Sequence, residues 1–213
     1  NDATIAVAEK VGGTEQAFAG IMNSYAKQLG MKNSNFENSS GLPGPTHRMS
    51  ARDIATLAHA MIAEFPEYYR WYALREFEWN GIKQQNRNGL LGRDPSVDGI
   101  KTGHTESAGY CLATSAERNG MRLISAVLGT KSMKAREDAS AALLNYGYTF
   151  YETVALKKKG EVLLSPRVYK GEVEMIPAVV ARDVWATVPR GSAASLVTTT
   201  SLNEPLIAPL TAA

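Results

Sequence analysis

One cysteine in 213 residues, Cys111, excludes an internal disulfide and a thiolate metal cluster. The three histidines, His47, His59 and His104, show no HExxH or other ligand spacing, so no metal is expected. A charge excess of one sign is missing too. Lys and Arg number 23 against 21 Asp and Glu, scattered along the chain, which leaves no footprint for nucleic acid. The only basic run, Lys157-Lys158-Lys159, reads as a solvated turn. No stretch approaches the roughly 20 apolar residues of a membrane span. No glycine-rich phosphate loop occurs, and no repeat or low-complexity segment. The opening residues, NDATIAVAEK, do not have the form of a signal peptide.

What remains, 44% hydrophobic and 21% charged, describes a globular chain with one large domain or two unequal ones. Three helices come first. Asn1 or Asp2 can cap a segment in which Ile5, Ala8 and Val11 recur before Gly12-Gly13. A chain that lacks an initiating methionine and opens on a helix cap is expected to be cut from something longer. Thr14 can cap a second segment with Phe18, Ile21, Met22, Tyr25 and Leu29 on one face, ended by Gly30. Ser50 with Asp53 resembles a capping box for a third, whose Ile54, Leu57, Ala58, Met61 and Ile62 face inward until Pro66. Between the last two lies NSSGLPGPTHRMS, an irregular loop of a length that is often functional. His59 falls within the third helix as a surface histidine. The pairs Tyr68-Tyr69 and Trp71-Tyr72 read as core or rim packing.

From Glu76 the period becomes two. Phe77 and Trp79 alternate with charged residues up to Asn80-Gly81, a hairpin signal, and GYCLATSAE, Asn119-Gly120 and MRLISAVLG form a second hairpin. A helix from about Ser132 buries Ala135, Ala139, Leu143 and Leu144 and ends near Gly147. After Thr153 the composition turns to Val, Pro and Thr with no helical period, so a small all-β module is expected, ending at PLIAPLTAA with no closing strand.

The chemistry rests on few residues. Lys101-Thr102-Gly103 supplies a cation, a hydroxyl donor and a position with no side chain to block a ligand, which suits an anionic or carbonyl-bearing substrate. Alone, the triplet is equally a solvated strand lysine, a β-favouring threonine and a bulge glycine. Its surroundings are more specific: VDGIKTGHT, then AGYCLATSA and MRLISAVLG, with QQNRNGLL just before.

On these segments, with SARDIATLAHAMI, WNGIKQQNRNGLL and the later VPRG, the chain resembles the low-molecular-mass penicillin-binding proteins that act as D-alanyl-D-alanine carboxypeptidases, closest to the penicillin-binding protein 5 and 6 type. That resemblance implies an α/β (α+β) fold. Residues 1–155 would be the C-terminal part of a β-lactamase/transpeptidase-like catalytic domain, an antiparallel sheet with helices. Residues 156–213 would be a truncated β-sandwich module. The implied reaction is removal of the terminal D-alanine from peptidoglycan pentapeptides through a serine acyl-enzyme, with β-lactams as slowly hydrolysed mimics and no cofactor. A periplasmic location at the inner membrane is implied with it, through a C-terminal anchor beyond this chain.

The family carries three motifs, S-x-x-K, S-x-N and K-T-G. The third is Lys101-Thr102-Gly103, and Asn1 matches the asparagine of the second. No serine is followed three places on by lysine in the right context, so the nucleophile, its lysine and the serine of the second motif are expected upstream of residue 1, in a partner segment of the same protein. Of the residues present, the resemblance makes Lys101 and Asn1 catalytic. Thr102 would donate to the substrate's terminal carboxylate, and Gly103 would let substrate backbone lie along the strand. The His104 backbone N–H would complete the oxyanion hole, with an imidazole general base as the alternative. Arg87 and Arg136 would lie near the free carboxylate, where a guanidinium fork suits the group. Cys111 is either packing or a reactive thiol, and Leu42 to His47 would border the site. Two other functions stay open: a β-lactamase of the same fold, which the small β module argues against, and a non-catalytic peptidoglycan-binding fragment.

Overall fold

The computed structural model describes residues 1–202 and 205–210, in two compact units, Asn1–Gly147 and Tyr148–Ala213. The first unit opens with α1 (Asp2–Gly12) and α2 (Glu15–Gln28), which pack on each other. Thr14 caps α2, its hydroxyl accepting from the Ala17 N–H at 3.1 Å. Asn1 occupies the cap position of α1 with no side-chain bond. The face expected on α2 is only partly covered: Ile21 and Tyr25 are exposed, and the buried positions are Ala19 and Ala26.

Helix α3 (Ala51–Glu64) starts at Ser50, whose hydroxyl accepts from the Asp53 N–H at 3.1 Å. Asp53 does more than close a box. Its Oδ2 accepts from the Asn33 N–H and the Ser34 hydroxyl, both at 2.7 Å, tying the start of α3 to the chain leaving α2. Pro66 breaks the helix, and α4 (Pro66–Tyr69) runs into a 3-10 turn, Arg70–Ala73. Here Tyr69 is buried while Tyr68 and Trp71 stack edge-on in solvent.

Strands β1 (Glu76–Trp79) and β2 (Ile82–Gln85) form a hairpin through Asn80-Gly81, whose φ values of 50° and 74° a primed turn requires. One face carries Glu76, Glu78 and Lys83, the last 3.9 and 3.8 Å from the two carboxylates. The other carries Phe77, Trp79 and Ile82, all exposed. With Trp71 at 58%, Trp79 at 72% and Trp185 at 59%, all three tryptophans lie open to solvent.

After α5 (Leu90–Arg93) come β3 (Val97–Thr105), β4 (Gly109–Arg118) and β5 (Met121–Thr130), an antiparallel sheet in that order. The β4–β5 turn is again Asn-Gly, with φ 51° and 76° at Asn119 and Gly120. Helix α3 packs on β4 and β5, and the 3-10 turn packs on β3. Ala58, Tyr69 and Ile100 form a buried cluster with Ile62, Tyr72, Ala113 and Ile124 against it. The Tyr69 hydroxyl donates to Asp98 at 2.8 Å, and Arg122 grips the same carboxylate at 2.7 and 2.9 Å. A Cβ at Gly99 would lie 2.6 Å from the Tyr69 hydroxyl, so glycine there is a packing requirement.

Helix α6 (Met133–Phe150) runs longer than the pattern implied, and Leu143 is exposed; it buries Arg136, Ser140 and Leu144. In the second unit β6 (Tyr151–Lys157) pairs antiparallel with β10 (Val184–Pro189), and β7 (Val162–Leu164) with β9 (Ala178–Val179). Strand β8 (Val168–Tyr169) pairs in parallel with β11 (Leu206–Ile207). The expectation of no closing strand in PLIAPLTAA is therefore corrected: two of its residues take up ladder bonds against β8. Among the described residues no helix is long and apolar enough to cross a membrane.

The Ser34 hydroxyl bond, with backbone donors beside it, holds the Asp53 carboxyl below its usual range despite burial. A depressed folded-state pKa contributes stability that is full above the unfolded value, near pH ~4, and lost as pH falls through the folded one. Asp53→Asn should therefore lower the melting temperature at neutral pH and flatten its acid limb. Calorimetry of both proteins from pH 7 to pH 3 measures this, and parallel curves would show that Asp53 is not the titrating support.

Candidate functional site

Strand β3 lies at one side of its sheet, and its far end is where the chain leaves the core: Val97 and Ile100 are buried, Lys101, Gly103 and His104 exposed. Across the ladder Lys101 faces Ala113, Thr102 faces Leu112, Gly103 faces Cys111 and His104 faces Tyr110. The two-residue period sets Lys101 and Gly103 on one face, Thr102 and His104 on the other. A Cβ at Gly103 would meet only the Cys111 Cβ, at an ordinary 3.8 Å. Interior packing does not demand glycine here; its missing side chain leaves room outside the strand. The Cys111 thiol donates to the Ala108 and Gly109 carbonyls. The His104 ring stacks on Tyr110 with centroids 3.9 Å apart, which occupies one face of the imidazole.

Arg87 stands on a turn fixed from four sides. Asn86 anchors the turn, donating through its N–H to the Arg75 carbonyl and through Nδ2 to the Leu74 carbonyl, and its Oδ1 accepts from the Asn88 N–H at 3.0 Å. The buried Asn88 amide donates to the Gly99 carbonyl at 2.9 Å, joining the turn to β3. Helix α6 supplies the rest. Arg136 Nη2 donates to the Arg87 carbonyl at 3.1 Å while its Nη1 donates to the Gly103 carbonyl at 3.3 Å, and Glu137 Oε1 accepts from the Gly89 N–H at 3.3 Å. With its backbone held, Arg87 presents an exposed side chain beside β3.

Arg136 meets the site through the site's own backbone. It is 3% exposed, both terminal nitrogens are spent on backbone carbonyls, and it lies over the Tyr110 ring at 5.7 Å. Its Nε has no hydrogen-bond partner among the described residues. It braces the strand and the turn, and brings a charge that no carboxylate among them answers.

Three cations thus meet at one strand end. Partial burial of the Lys101 amine lowers its pKa, and the charges of Arg87 and then Arg136 lower it further. Its short bond to the Thr102 carbonyl orients the ammonium. Among the described residues none of the three forms an ion pair, although Arg93, Arg118 and Arg122 nearby in the fold all do. The arrangement can hold an anion at the strand edge and stabilise negative charge developing next to it.

The other expected members bond locally. Asn1 bonds within its own helix: its carbonyl accepts from Thr4 and Ile5, and no hydrogen bond joins it to β3 among the described residues. The loop from Leu42 to His47 is pinned by Glu37, whose Oε1 accepts from the Thr46 N–H and hydroxyl. A Cβ at Gly44 would meet that carboxylate, which would have to shift away to make room. No hydrogen bond or ion pair joins this loop to β3 among the described residues. The one literal S-x-x-K spelling, Ser24 to Lys27, is on the open face of α2, and the Ser24 hydroxyl donates back to the Gly20 carbonyl. A cleft of about 490 Å³ at the foot of the β1–β2 hairpin is lined by Trp71, Phe77, Gln85 and Asn86 among others, and by none of the three cations. No group of three His, Cys, Asp or Glu side chains converges as metal ligands would, among the described residues. Sequence reasoning missed Asn88, Gly89, Tyr110 and Glu137. Asn88 and Gly89 are in NRNG itself, and Glu137 follows Arg136, but only the fold shows that they meet.

A family model for D-alanyl-D-alanine carboxypeptidases matches residues 1–132, and one for the C-terminal domain of penicillin-binding protein 5 matches residues 151–213. The chain is 45% identical over 205 residues to D-alanyl-D-alanine carboxypeptidase DacA of Escherichia coli, covering 96% of this chain and 51% of that protein. It is 42% identical over 193 residues to DacA of Haemophilus influenzae, covering 90% and 49%. The solved penicillin binding protein 5 of Haemophilus influenzae superposes with a TM-score of 0.87 at 40% identity, over 99% of this chain and 62% of that one. Penicillin-Binding Protein D2 of Listeria monocytogenes, solved in a cefotaxime-bound form, gives 0.65 at 32% identity over 70% and 61%. The chain spans about half the length of the curated relatives it matches.

Removing one cation should release the next. Arg87→Ala is expected to raise the Lys101 pKa, because losing a neighbouring positive charge favours the ammonium form. Carbon-13 NMR titration of methylated lysines reads the shift; an unmoved Lys101 would place Arg87 too far away to act on it.

Proposed function

The chain belongs to the D-alanyl-D-alanine carboxypeptidase family, and from that premise we propose that the protein is a serine-type enzyme removing the terminal D-alanine from peptidoglycan pentapeptides. The observation that carries this reading is the group of Lys101, Arg87 and Arg136, three cations without a counter-ion among the described residues, beside a strand end left open at Gly103. A peptide ending in a free carboxylate supplies the missing charge, and its backbone fits along a strand that has no side chain in the way.

The nucleophilic serine and its lysine would come from residues outside these 213. The serine oxygen attacks the penultimate D-alanine carbonyl, D-alanine leaves with a proton, and water hydrolyses the ester. Lys101 holds positive potential over the reacting atoms, Thr102 donates to the terminal carboxylate, and the His104 N–H faces the developing oxyanion. Arg87 reaches the carboxylate, and Arg136 holds the Arg87 and Gly103 carbonyls in place. Asn1 would serve the second motif. β-Lactams would enter as substrate mimics, and Penicillin-Binding Protein D2 of Listeria monocytogenes, which is similar to this chain, has been solved with cefotaxime bound. Under the same proposal the protein acts in the periplasm, where a cell-wall substrate lies, in association with the inner membrane. A catalytic region over 1–155 and an accessory β module over 156–213 complete the proposal.

The full-length protein should be acylated by a fluorescent penicillin and release D-alanine from a D-Ala-D-Ala peptide. Rapid penicillin turnover without D-alanine release would favour a β-lactamase instead. Lys101→Ala should reduce acylation by roughly 100-fold or more with the fold intact. Unchanged acylation would return Lys101 to an ordinary surface lysine.

A charge-assisted hydrogen bond is worth about 1.5 to 3 kcal/mol, so Arg87→Ala should cut kcat/KM on the acid peptide by roughly 10- to 100-fold. The loss should be much smaller on the C-terminal amide, which carries no charge to recognise. Equal losses on both would show that Arg87 supports local structure rather than reading the terminus.

A further inference from the structure

Two consecutive side chains of α6 reach the same short turn with opposite polarity. Arg136 gives a proton donor to the carbonyl of residue 87, and Glu137 offers an acceptor to the N–H of residue 89, while Asn88 between them turns inward to the Gly99 carbonyl. The turn is clamped from both ends of its peptide pair, and the residue whose side chain points out of the clamp is Arg87.

Glu137 is well placed for the task. Its side chain is 16% exposed, and its other oxygen lies 3.4 Å from Arg93 Nη1, so the carboxylate is fixed on both sides. Gly89 fits against it: a Cβ there would sit 2.5 Å from Oε1 and 2.7 Å from Oε2. The Gly89 backbone, with φ −64° and ψ −16°, would accept an alanine without strain. The glycine is therefore explained by the carboxylate and not by the chain's conformation.

We propose that Glu137, seated against Gly89, is a positioning residue that sets the reach of Arg87 toward the substrate's terminal carboxylate. The proposal rests on the carboxypeptidase reading for its substrate, but not for its geometry. A guanidinium must meet a carboxylate with both nitrogens aligned, and a displacement of about 1 Å at such a group can cost as much as 100-fold in rate. Arg136 and Asn86 hold the turn at one end; Glu137 holds it at the other.

The experiment compares Glu137→Gln, Glu137→Ala and Gly89→Ala in the full-length protein. Glutamine loses the charge and keeps an acceptor for the Gly89 N–H; alanine at 137 loses both; alanine at 89 leaves the carboxylate chemically intact and pushes it away. The first readout is the ratio of kcat/KM on acid and amide peptides. Glu137→Ala and Gly89→Ala should each lower the ratio by about 10-fold, and Glu137→Gln should preserve most of it.

The second readout needs no turnover: the Lys101 titration by NMR. Removing the Glu137 charge affects Lys101 equally in the Gln and Ala variants, so a higher Lys101 pKa in Ala than in Gln reports Arg87 moving away. If the wild-type protein released no D-alanine, the carboxypeptidase reading would fail while this comparison still decided the positioning. Identical Lys101 titrations in the two Glu137 variants overturn the proposal, as does an equal loss on acid and amide in both alanine variants. Should Glu137→Ala fail to fold, Gly89→Ala against wild type decides the same question from the other side of the contact.

Discussion

A buried guanidinium that no carboxylate pairs with is costly, and among the described residues Arg136 is one. Its two Nη donors are answered by the carbonyls of Gly103 and Arg87, and its flat face by Tyr110. Backbone carbonyls accept its hydrogen bonds without cancelling its charge. That distinction organises the site: an acidic partner would have neutralised the field, whereas carbonyls let a full positive charge stand behind the strand. Lys101 and Arg87 then accumulate in the same potential, which adds to the burial that holds the lysine below its ordinary range.

Around that charge the work is divided between rigid elements. The strand offers a length of backbone whose side-chain-free position, Gly103, opens outward. The turn at 86–89 offers a reaching cation. Helix α6 locks the two together through adjacent residues, and the Asp98 carboxylate, shared by Tyr69 and Arg122, secures the base of β3 to the core. Nothing among these groups depends on a long loop for its placement, so their geometry inherits the stiffness of sheet and helix.

Much of this could be read from residues in order. The caps at Thr14 and Ser50, the two Asn-Gly turns and the paired strands after Lys101 follow from local chemistry that the fold leaves unaltered, and the triplet with its flanks identified the family. The failures share a cause. Helical periodicity picks out a face, but whether anything covers Ile21, Tyr25 or Leu143 is decided by distant segments. A two-residue strand such as Leu206–Ile207 is too short to show a period. The burial of Arg136 is not legible in order either, because it depends on the carbonyls brought to it from positions 33 and 49 residues away in sequence. Glu137 carried no signal at all, since its meaning is a contact with Gly89 across 48 residues.

The exposure of Trp71, Trp79 and Trp185 has a consequence for the bench. Indole emission shifts to longer wavelength on unfolding when a ring passes from an apolar interior into water. Here all three rings already meet water in the folded chain, so the emission maximum has little distance to travel. Intrinsic fluorescence would record a shallow, poorly resolved transition while helices and sheet were melting cooperatively. A flat fluorescence trace from this chain is a statement about where its indoles sit, and its unfolding is followed instead by far-ultraviolet dichroism or heat capacity.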